Sequence, residues 1–333
     1  MNTRLLAAGL AILASPAFFV TLGAAETPVL TVLTYDSFTS EWGPGPAIEK
    51  GFEATCVCDV KYVTAGDGAA LLARLKLEGK ESKADVVVGL DTNLTADATA
   101  TGLFAPVAAQ PNTLPVAFSD PNFVPFDWGY LAFVYDKTKV ATPPTSFEDL
   151  AASDLKVVIE DPRSSTPGLG LVLWVKAAHG DKAPQIWADL ADNIITVTPG
   201  WSEAYGMFTE GQADMVLSYT TSPAYHLIAE SDDTKAAASF AEGHYMQVEV
   251  AGKLASSQQP ALAAQFLAFL TGDAAQSVLI TTNWMYPAKT PADGLPRGFE
   301  TLVQPSKALL MSAADADAAR APAIAEWQAA LSK

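Results

Sequence analysis

The sequence predicts an α/β protein with two lobes, built from mainly parallel sheets with helices on both faces and with crossover strands that form a hinge. Short runs rich in Val, Ile and Thr alternate with helical stretches along most of the chain, which is the pattern of successive β-α units. The chain has 333 residues, half of them hydrophobic, and this is more than one core usually serves. Two domains are therefore expected.

The β-α units follow one another along the chain, and their helix ends are marked. Gly79 and Gly180 stand where helices end, and Asp67, Ser202 and Ser222 stand where N-caps belong. The strand and helix pairs are VLTVLTY with PAIEKGFEA, DVKYVTA with GAALLARLKLEG, ADVVVGLD with the Thr/Ala-rich stretch that ends at Gly102, LKVVIEDP with LGLVLWVKAAHG, ITVTPG with SEAYGMFTEG, and ADMVLSYTT with SPAYHLIAE.

Two long strand-like runs, residues 124–137 and 240–254, have no helix of their own and are predicted to cross between the lobes. This prediction makes one lobe discontinuous. The first lobe is expected to comprise residues 26–127 and about 245–285, and the second lobe residues 128–244. Residues 286–333 are predicted to form a C-terminal helical segment that packs near the hinge or on the second lobe.

The first 25 residues have the layout of a secretory signal peptide. A single charge at Arg4 precedes an apolar stretch, and the small residues Gly23 and Ala25 precede the expected cleavage point. A transmembrane anchor is the alternative, but Pro16 and the small residues favour cleavage. The protein is therefore expected to be exported and soluble.

The charge balance limits the class of partner. The chain carries 37 acidic and 20 basic residues, with a formal net charge of −17. Such a surface argues against nucleic acid or an anionic membrane as the partner. It mildly favours a cationic ligand.

Signatures of catalysis, metal binding and cofactor binding are scarce. Cys56 and Cys58 could close a tight disulfide in an oxidising compartment, whereas metal ligation needs two further ligands that nothing nearby provides. We favour a structural, redox-inert pair. The three histidines have no metal-pair spacing, and neither a complete dinucleotide fingerprint nor a Walker lysine is found. No catalytic residue, metal site or cofactor is predicted.

Aromatic and acidic residues recur where the predicted strands end. Ligands of open parallel sheets bind outside the carboxyl ends of the strands, beside the N-termini of the following helices. The residues placed there include Tyr35, Trp42, Asp67, Gly68, Ser165, Trp201, Tyr219 and Tyr225. Each alone could be a core aromatic or a helix cap. Together they predict an aromatic-walled pocket with carboxylates, suited to a flat cation that could carry a phosphate.

Several segments resemble a known family: DGAALLARL, SKADVVVGLD, DPRSSTPGLGL, TPGWSEAYG, LSYTTSPAY and NWMYP. Together they are similar to the thiamine-binding receptors of bacterial ABC transporters, a group within the type II periplasmic binding proteins. The similarity runs from about Leu30 to about Trp327. It implies a periplasmic receptor that closes on thiamine, thiamine monophosphate or thiamine diphosphate and delivers it to an inner-membrane permease. A monomer is expected.

The resemblance also implies which residues touch the ligand. Those expected around the pyrimidine and thiazolium rings are Tyr35, Trp42, Tyr225 and Trp284. Those expected on the hydroxyethyl or phosphate side are Asp67, Gly68, Ser165, Trp201 and Tyr219.

Two other functions fit the same scaffold. A thiaminase-like transferase needs a cysteine nucleophile in the cleft, and neither Cys56 nor Cys58 follows a strand there. An iron(III) or polyamine receptor is the second, because Tyr219 and Tyr225 resemble phenolate ligands of iron. Iron receptors of this fold tend to use adjacent tyrosines, and these two are separated along the chain.

Overall fold

The computed structural model describes residues 27–332. The predicted signal peptide lies outside the described residues. Within them, no single helix is long and apolar enough to cross a membrane, and the two helices that pass this test only as a pair are bent by 62° at the break between them.

The alternation of strands and helices predicted from the sequence is present. The strands are β1 (Val29–Thr34), β2 (Asp59–Thr64), β3 (Val86–Asp91), β4 (Val124–Asp136), β5 (Val157–Glu160), β6 (Ile194–Thr198), β7 (Met215–Tyr219), β8 (Lys235–Ala237), β9 (His244–Lys253), β10 (Tyr286–Pro287) and β11 (Ala308–Leu309). The helices are α1 (Gly45–Glu53), α2 (Gly68–Glu78), α3 (Thr95–Ala100), α4 (Phe147–Ala151), α5 (Thr166–His179), α6 (Ala183–Leu190), α7 (Trp201–Thr209), α8 (Pro223–Ala229), α9 (Pro260–Leu270), α10 (Asp273–Thr282) and α11 (Ala313–Leu331).

The sheet is mixed, with the strand order β2-β1-β3-β9-β4-β7-β5-β6. Strands β1, β2 and β3 pair in parallel at one end, and β5, β6 and β7 pair in parallel at the other. Strands β4 and β9 lie between these groups and pair antiparallel with each other and with β3 and β7. The parallel arrangement predicted from the β-α units therefore holds within each lobe, and the pairing is antiparallel at the centre.

The two long runs predicted as crossings are the two central strands. The first half of β4 pairs with β9 and the second half with β7, so this strand belongs to both groups. The first residues of β9 pair with β11, and its second half pairs with β3. The lobe boundaries at residues 127/128 and about 244/245 stay predictions.

The C-terminal region begins with strands and ends in a helix. Strand β10 pairs with β4, and β11 pairs with β9. Helix α11 packs on α5 and α6 and also contacts α3. Arg320 on α11 bonds to Asp97 on α3 (2.6 Å), and Lys176 on α5 bonds to Glu326 on α11 (2.8 Å). The last helix thus connects elements of both ends of the sheet.

The caps proposed from the sequence have mixed outcomes. Ser222 occupies the N-cap position of α8, and its side chain makes no cap bond. Ser202 is not a cap, because α7 already begins at Trp201 and its N-cap is Gly200. Cys56 and Cys58 form a disulfide between α1 and β2, with their Cα atoms 5.4 Å apart.

Candidate functional site

A cavity of about 530 Å³ opens where the carboxyl ends of the parallel strands from both lobes meet. Its walls come from the segments that follow β1, β2, β6 and β7, from the start of α5 and from the turn between α10 and β10. Seven residues predicted from the sequence line it: Tyr35, Trp42, Asp67, Trp201, Tyr219, Tyr225 and Trp284. The structure therefore brings most of the predicted site together in one place.

Gly68 and Ser165 are not among the lining residues. Ser165 is fully buried and acts as the N-cap of α5, where its hydroxyl accepts from the Gly168 N–H at 3.4 Å. The Gly68 N–H donates to the hydroxyl of Thr166 at 2.9 Å. Both residues lie behind the cavity wall, where their hydrogen bonds stabilise the first turns of α5 and α2.

Seven of the described residues that line the cavity are aromatic. Trp42 is 54% exposed, and its ring centroid lies 6.2 Å from that of Trp201. Trp201 stacks on Tyr205 at 4.9 Å, with 24° between the ring planes. Tyr225 meets Trp284 edge to face at 5.6 Å. These rings offer π faces to a flat ligand, and such faces attract a cation.

Hydrogen bonds and backbone geometry set the direction of these rings. The indole N–H of Trp201 donates to the Ser218 hydroxyl at 2.8 Å, and this hydroxyl also bonds to that of Ser222 (2.7 Å). Trp284 has a φ of 54°. A bulky side chain rarely adopts this left-handed backbone, and such residues cluster at functional sites.

Tyr35 lies over a glycine in the neighbouring strand. A Cβ at Gly89 would come within 2.1 Å of the Tyr35 ring, and Gly89 has a φ of 100° at an irregularity in the β3–β9 pairing. Only glycine leaves room for this ring. The Tyr35 hydroxyl donates to Asn283 at 3.2 Å, which fixes the inner end of the ring.

The inner end of the cavity is acidic. Glu249, in the crossing strand β9, lines the cavity, and Asp127, in β4, is fully buried beside it. Burial, and then the neighbouring Asp127, hold the pKa of Glu249 well above its usual range. Burial likewise raises the pKa of Asp127 to about 7.

Sequence reasoning from strand ends missed Glu249, because it lies inside a strand. A signal was present, since Gln247 and Glu249 are polar residues two apart in an otherwise apolar run and so share one face. Asn283 was missed because it follows a helix.

Hydrogen bonds join the two lobes across the cleft. The Asp67 carboxylate accepts from the Trp201 N–H at 3.2 Å, and the Ala70 N–H donates to the Ser164 carbonyl at 3.1 Å. Burial raises the pKa of Asp67 to about 6. Glu160 lies fully buried at the end of β5, and its pKa is raised by burial and then by Asp67. The cleft is thus closed around acids removed from water.

A second group of polar residues lies at the rim near α8. The Tyr205 hydroxyl bonds to His226 (2.9 Å), whose other ring nitrogen bonds to Glu230 (2.7 Å). The Tyr225 hydroxyl also donates to Glu230, at 2.9 Å. The sequence analysis did not identify Tyr205 or Glu230, although both line the cavity.

The sequence predicts no metal site, but within the part of the chain that the structure describes two groups have enough ligand atoms close together for a metal ion. The first consists of Glu148, His179 and Glu242, and its imidazole has a carboxylate at each nitrogen (3.6 and 3.7 Å). That geometry suits an ion pair better than one metal, which can bind only one of the two nitrogens. The second consists of His226, Glu230 and Asp232. Its imidazole already bonds at both nitrogens.

The arrangement suits binding of a flat cation. Among the described residues that line the cavity, three are acids (Asp67, Glu230 and Glu249) and none is a lysine, arginine or histidine. The thiaminase alternative needs a cysteine in the cleft, and both cysteines lie outside the lining residues and are joined to each other.

Comparison with known proteins agrees with this description. The model of the bacterial extracellular solute-binding protein family matches residues 46–282. A thiamine-binding periplasmic protein of Escherichia coli (strain K12) is 54% identical over 310 residues, covering 92% of this chain and 94% of that protein. One from Haemophilus influenzae is 44% identical over 281 residues, covering 83% and 84%. A solved periplasmic thiamin binding protein has a TM-score of 0.90 at 53% identity, covering 93% of this chain and 98% of that one.

Iron-binding proteins are more distant relatives. The iron uptake protein A1 of a Synechocystis species is 28% identical over 240 residues, covering 67% of this chain and 66% of that protein. A solved ferric binding protein from Campylobacter jejuni, at 17% identity and a TM-score of 0.73, shares the two-lobed fold alone. The chain belongs to the bacterial extracellular solute-binding proteins and, within them, to the group of the thiamine-binding periplasmic proteins.

Proposed function

We propose that the protein captures thiamine in the cavity between its lobes and delivers it to the inner-membrane permease of an ABC importer. The observation that carries this proposal is the composition of the cavity wall. Rings of Trp42, Trp201, Tyr225 and Trp284 surround the space, and the described lining residues include acids but no basic side chain. The thiazolium ring of thiamine is flat and permanently positive. Aromatic faces and buried carboxylates are the groups that bind such a ring.

Thiamine monophosphate and diphosphate are proposed as further ligands. The phosphate end faces the starts of α5 and α7, where Thr166 and Ser202 line the cavity with hydroxyls. Backbone N–H groups at helix N-termini favour anions. The described lining residues include no lysine or arginine that could pair with a phosphate. We therefore expect each added phosphate to contribute little to the affinity.

Isothermal titration calorimetry with the three ligands tests the proposal. We expect one site per chain, with thiamine bound at least as tightly as its phosphates. Binding of none of the three would overturn the proposed function. Size-exclusion chromatography with light scattering in the same buffers tests the proposed monomer, and cell fractionation tests the periplasmic location.

We propose that the protein is a receptor and carries out no chemistry on its ligand. The cavity lining contains no cysteine, and we assign no cofactor to the protein. Incubation with thiamine and an added nucleophile should leave thiamine intact by chromatography. Release of the free pyrimidine would contradict this assignment.

Iron(III) is not favoured as the ligand. The Tyr219 hydroxyl donates to Gln247 at 2.9 Å, and the Tyr225 hydroxyl donates to Glu230 at 2.9 Å. Burial raises the pKa of Tyr219 well above its usual range, which disfavours the phenolate that binds iron. Ferric loading should therefore give no phenolate-to-iron colour, whereas thiamine should quench the tryptophan fluorescence.

A further inference from the structure

Glu249 is a cavity residue with half of its carboxylate unpaired. Its side chain is almost fully buried, and one carboxylate oxygen accepts from the Gln247 amide at 3.1 Å. The other oxygen has no hydrogen-bond partner among the described residues. A buried carboxylate oxygen without a partner is costly, so it calls for a donor or a cation.

The strands on both sides add acids to Glu249. Its position in β9 is in register with Asp91 on β3 and with Asp127 on β4. One oxygen of Asp127 accepts from the Asn283 amide at 2.6 Å, and the other has no partner in the described chain. The site therefore contains two neighbouring buried carboxyls, each with one unpaired oxygen.

Within residues 27–332, the remaining groups that face Glu249 supply no positive charge. Asp91 and, more weakly, Asp67 repel its ionised form. The nearby Tyr35 hydroxyl favours that form, although its hydrogen bond goes to Asn283. The Tyr219 hydroxyl reaches it through Gln247. Burial keeps the pKa of both tyrosines well above the usual range, so neither phenol exchanges a proton near neutral pH. Burial also raises the pKa of Asp91 to about 7, but both oxygens of Asp91 accept hydrogen bonds from Asn93. Since Glu249 and Asp127 each keep an oxygen without a partner in the described chain, we assign the retained proton to this pair.

We propose that Glu249, backed by Asp127, is the residue that selects the positive charge of the ligand, and that entry of the cationic ring displaces a proton from this carboxyl pair. This inference rests on the proposed function. Before binding, the carboxyl pair holds one proton and the cationic ligand is in solution. After binding, the pair is fully ionised with the ligand bound, and the proton has passed to the buffer. The cation replaces the proton as the partner of the negative charge.

The structure supports this step because the same burial that favours the neutral carboxyl also strengthens its attraction to a cation once water is excluded. An uncharged ligand of the same shape fills the cavity equally well but leaves the proton in place. The charge of the ring, and not its shape, should therefore determine proton release.

Calorimetry in buffers of different ionisation enthalpy measures the proton release. The probes are thiamine and an uncharged analogue in which a thiophene ring replaces the thiazolium. When the unmodified protein binds thiamine near neutral pH, it should release a measurable fraction of a proton. Binding of the analogue should release no proton. Between about pH 6 and pH 8, the ratio of the two affinities should shift towards thiamine as pH rises. The ratio is used because lobe closure affects both ligands equally.

Glu249→Gln keeps the size of the side chain and removes its charge. We expect the thiamine affinity of this variant to be lower by about tenfold or more. Its affinity for the analogue should change by less than about threefold, and thiamine binding should no longer release a proton. Asp127→Asn should reduce the release while keeping part of the preference for thiamine.

The possible failures are distinguishable. Equal proton release by thiamine and the analogue, or an unchanged affinity ratio in Glu249→Gln, would overturn the role of Glu249 and leave thiamine binding intact. Failure of the natural protein to bind either probe would overturn the proposed function itself. If Glu249→Gln does not fold, the comparison of the two probes on the natural protein still decides the matter.

Discussion

The carboxylate of Asp67, at the start of α2, accepts a hydrogen bond from the backbone N–H of Trp201, at the start of α7, across the cleft. Asp67 occupies the N-cap position of its own helix but makes no cap bond there. An acid that the sequence pattern assigns to a local cap thus joins the two lobes. Burial in the closed cleft raises the pKa of Asp67 to about 6, although the hydrogen bonds from Ser165 and Trp201 oppose this shift.

This contact should make closure depend on pH. The closed form holds the proton of Asp67 more tightly than the open form, so closure is favoured below the ordinary pKa of an aspartate and disfavoured as pH rises through about 6. The full effect is about 3 kcal/mol. Small-angle scattering should show that the ligand-free protein expands between about pH 4 and pH 6.5.

Asp67→Asn keeps an acceptor for the Trp201 N–H and removes the titrating group. This variant should expand less over the same pH range. Asp181→Asn lies in the exposed turn that follows the C-terminal end of α5, while the cleft is at the start of that helix. This variant serves as the control and should behave as the natural protein. An identical pH response in Asp67→Asn and the control would contradict this account.

The ring of Tyr225 should matter more than its hydroxyl. The ring meets Trp284 at the cavity wall, whereas the hydroxyl points to Glu230. Tyr225→Ala should therefore weaken thiamine binding about tenfold or more, and Tyr225→Phe should weaken it less than about threefold. Thermal stability should change little in both variants, because the side chain is only half-buried. Calorimetry and thermal melts check this, and equal affinities for the two variants would count against ring stacking.

The disulfide should be independent of ligand binding. Cys56 and Cys58 lie between α1 and β2, outside the cavity lining. A bridge between residues only two apart removes little entropy from the unfolded chain. Replacing both cysteines with serine should thus leave thiamine affinity within about twofold and lower the melting temperature only slightly. A large loss of affinity would show that the loop supports the cavity.

The sequence pattern was informative where structure is locally encoded. Strands and helices follow from periodicity, and aromatic residues after strands converge because parallel strands end at one edge. Glu249 was not found, since its role depends on β9 lying between β3 and β4, a pairing over long sequence separations. Gly68 and Ser165 were placed at the cavity, but local capping and close packing hold them behind its wall. Such differences arise from packing, which periodicity does not specify.

The hydroxyl of Thr166 should control how firmly the lobes close. It is buried and accepts from the Gly68 N–H at 2.9 Å, so it joins the start of α5 to the start of α2. Thr166→Val keeps the shape of the side chain but leaves this N–H without an acceptor in the closed form, at a cost of about 1–3 kcal/mol. In an open form, water satisfies the same N–H. The penalty therefore falls on the closed, ligand-bound state, and thiamine should dissociate about tenfold faster or more.

Thr166→Ser retains the hydroxyl and is the matched control, with an expected dissociation rate within about threefold of the natural protein. Stopped-flow measurement of tryptophan fluorescence gives both rates. Melting of the ligand-free variants shows whether the lobes themselves are intact, and we expect both to melt within a few degrees of the natural protein. If valine and serine at this position release thiamine at the same rate, the bond between Thr166 and Gly68 does not hold the cleft closed.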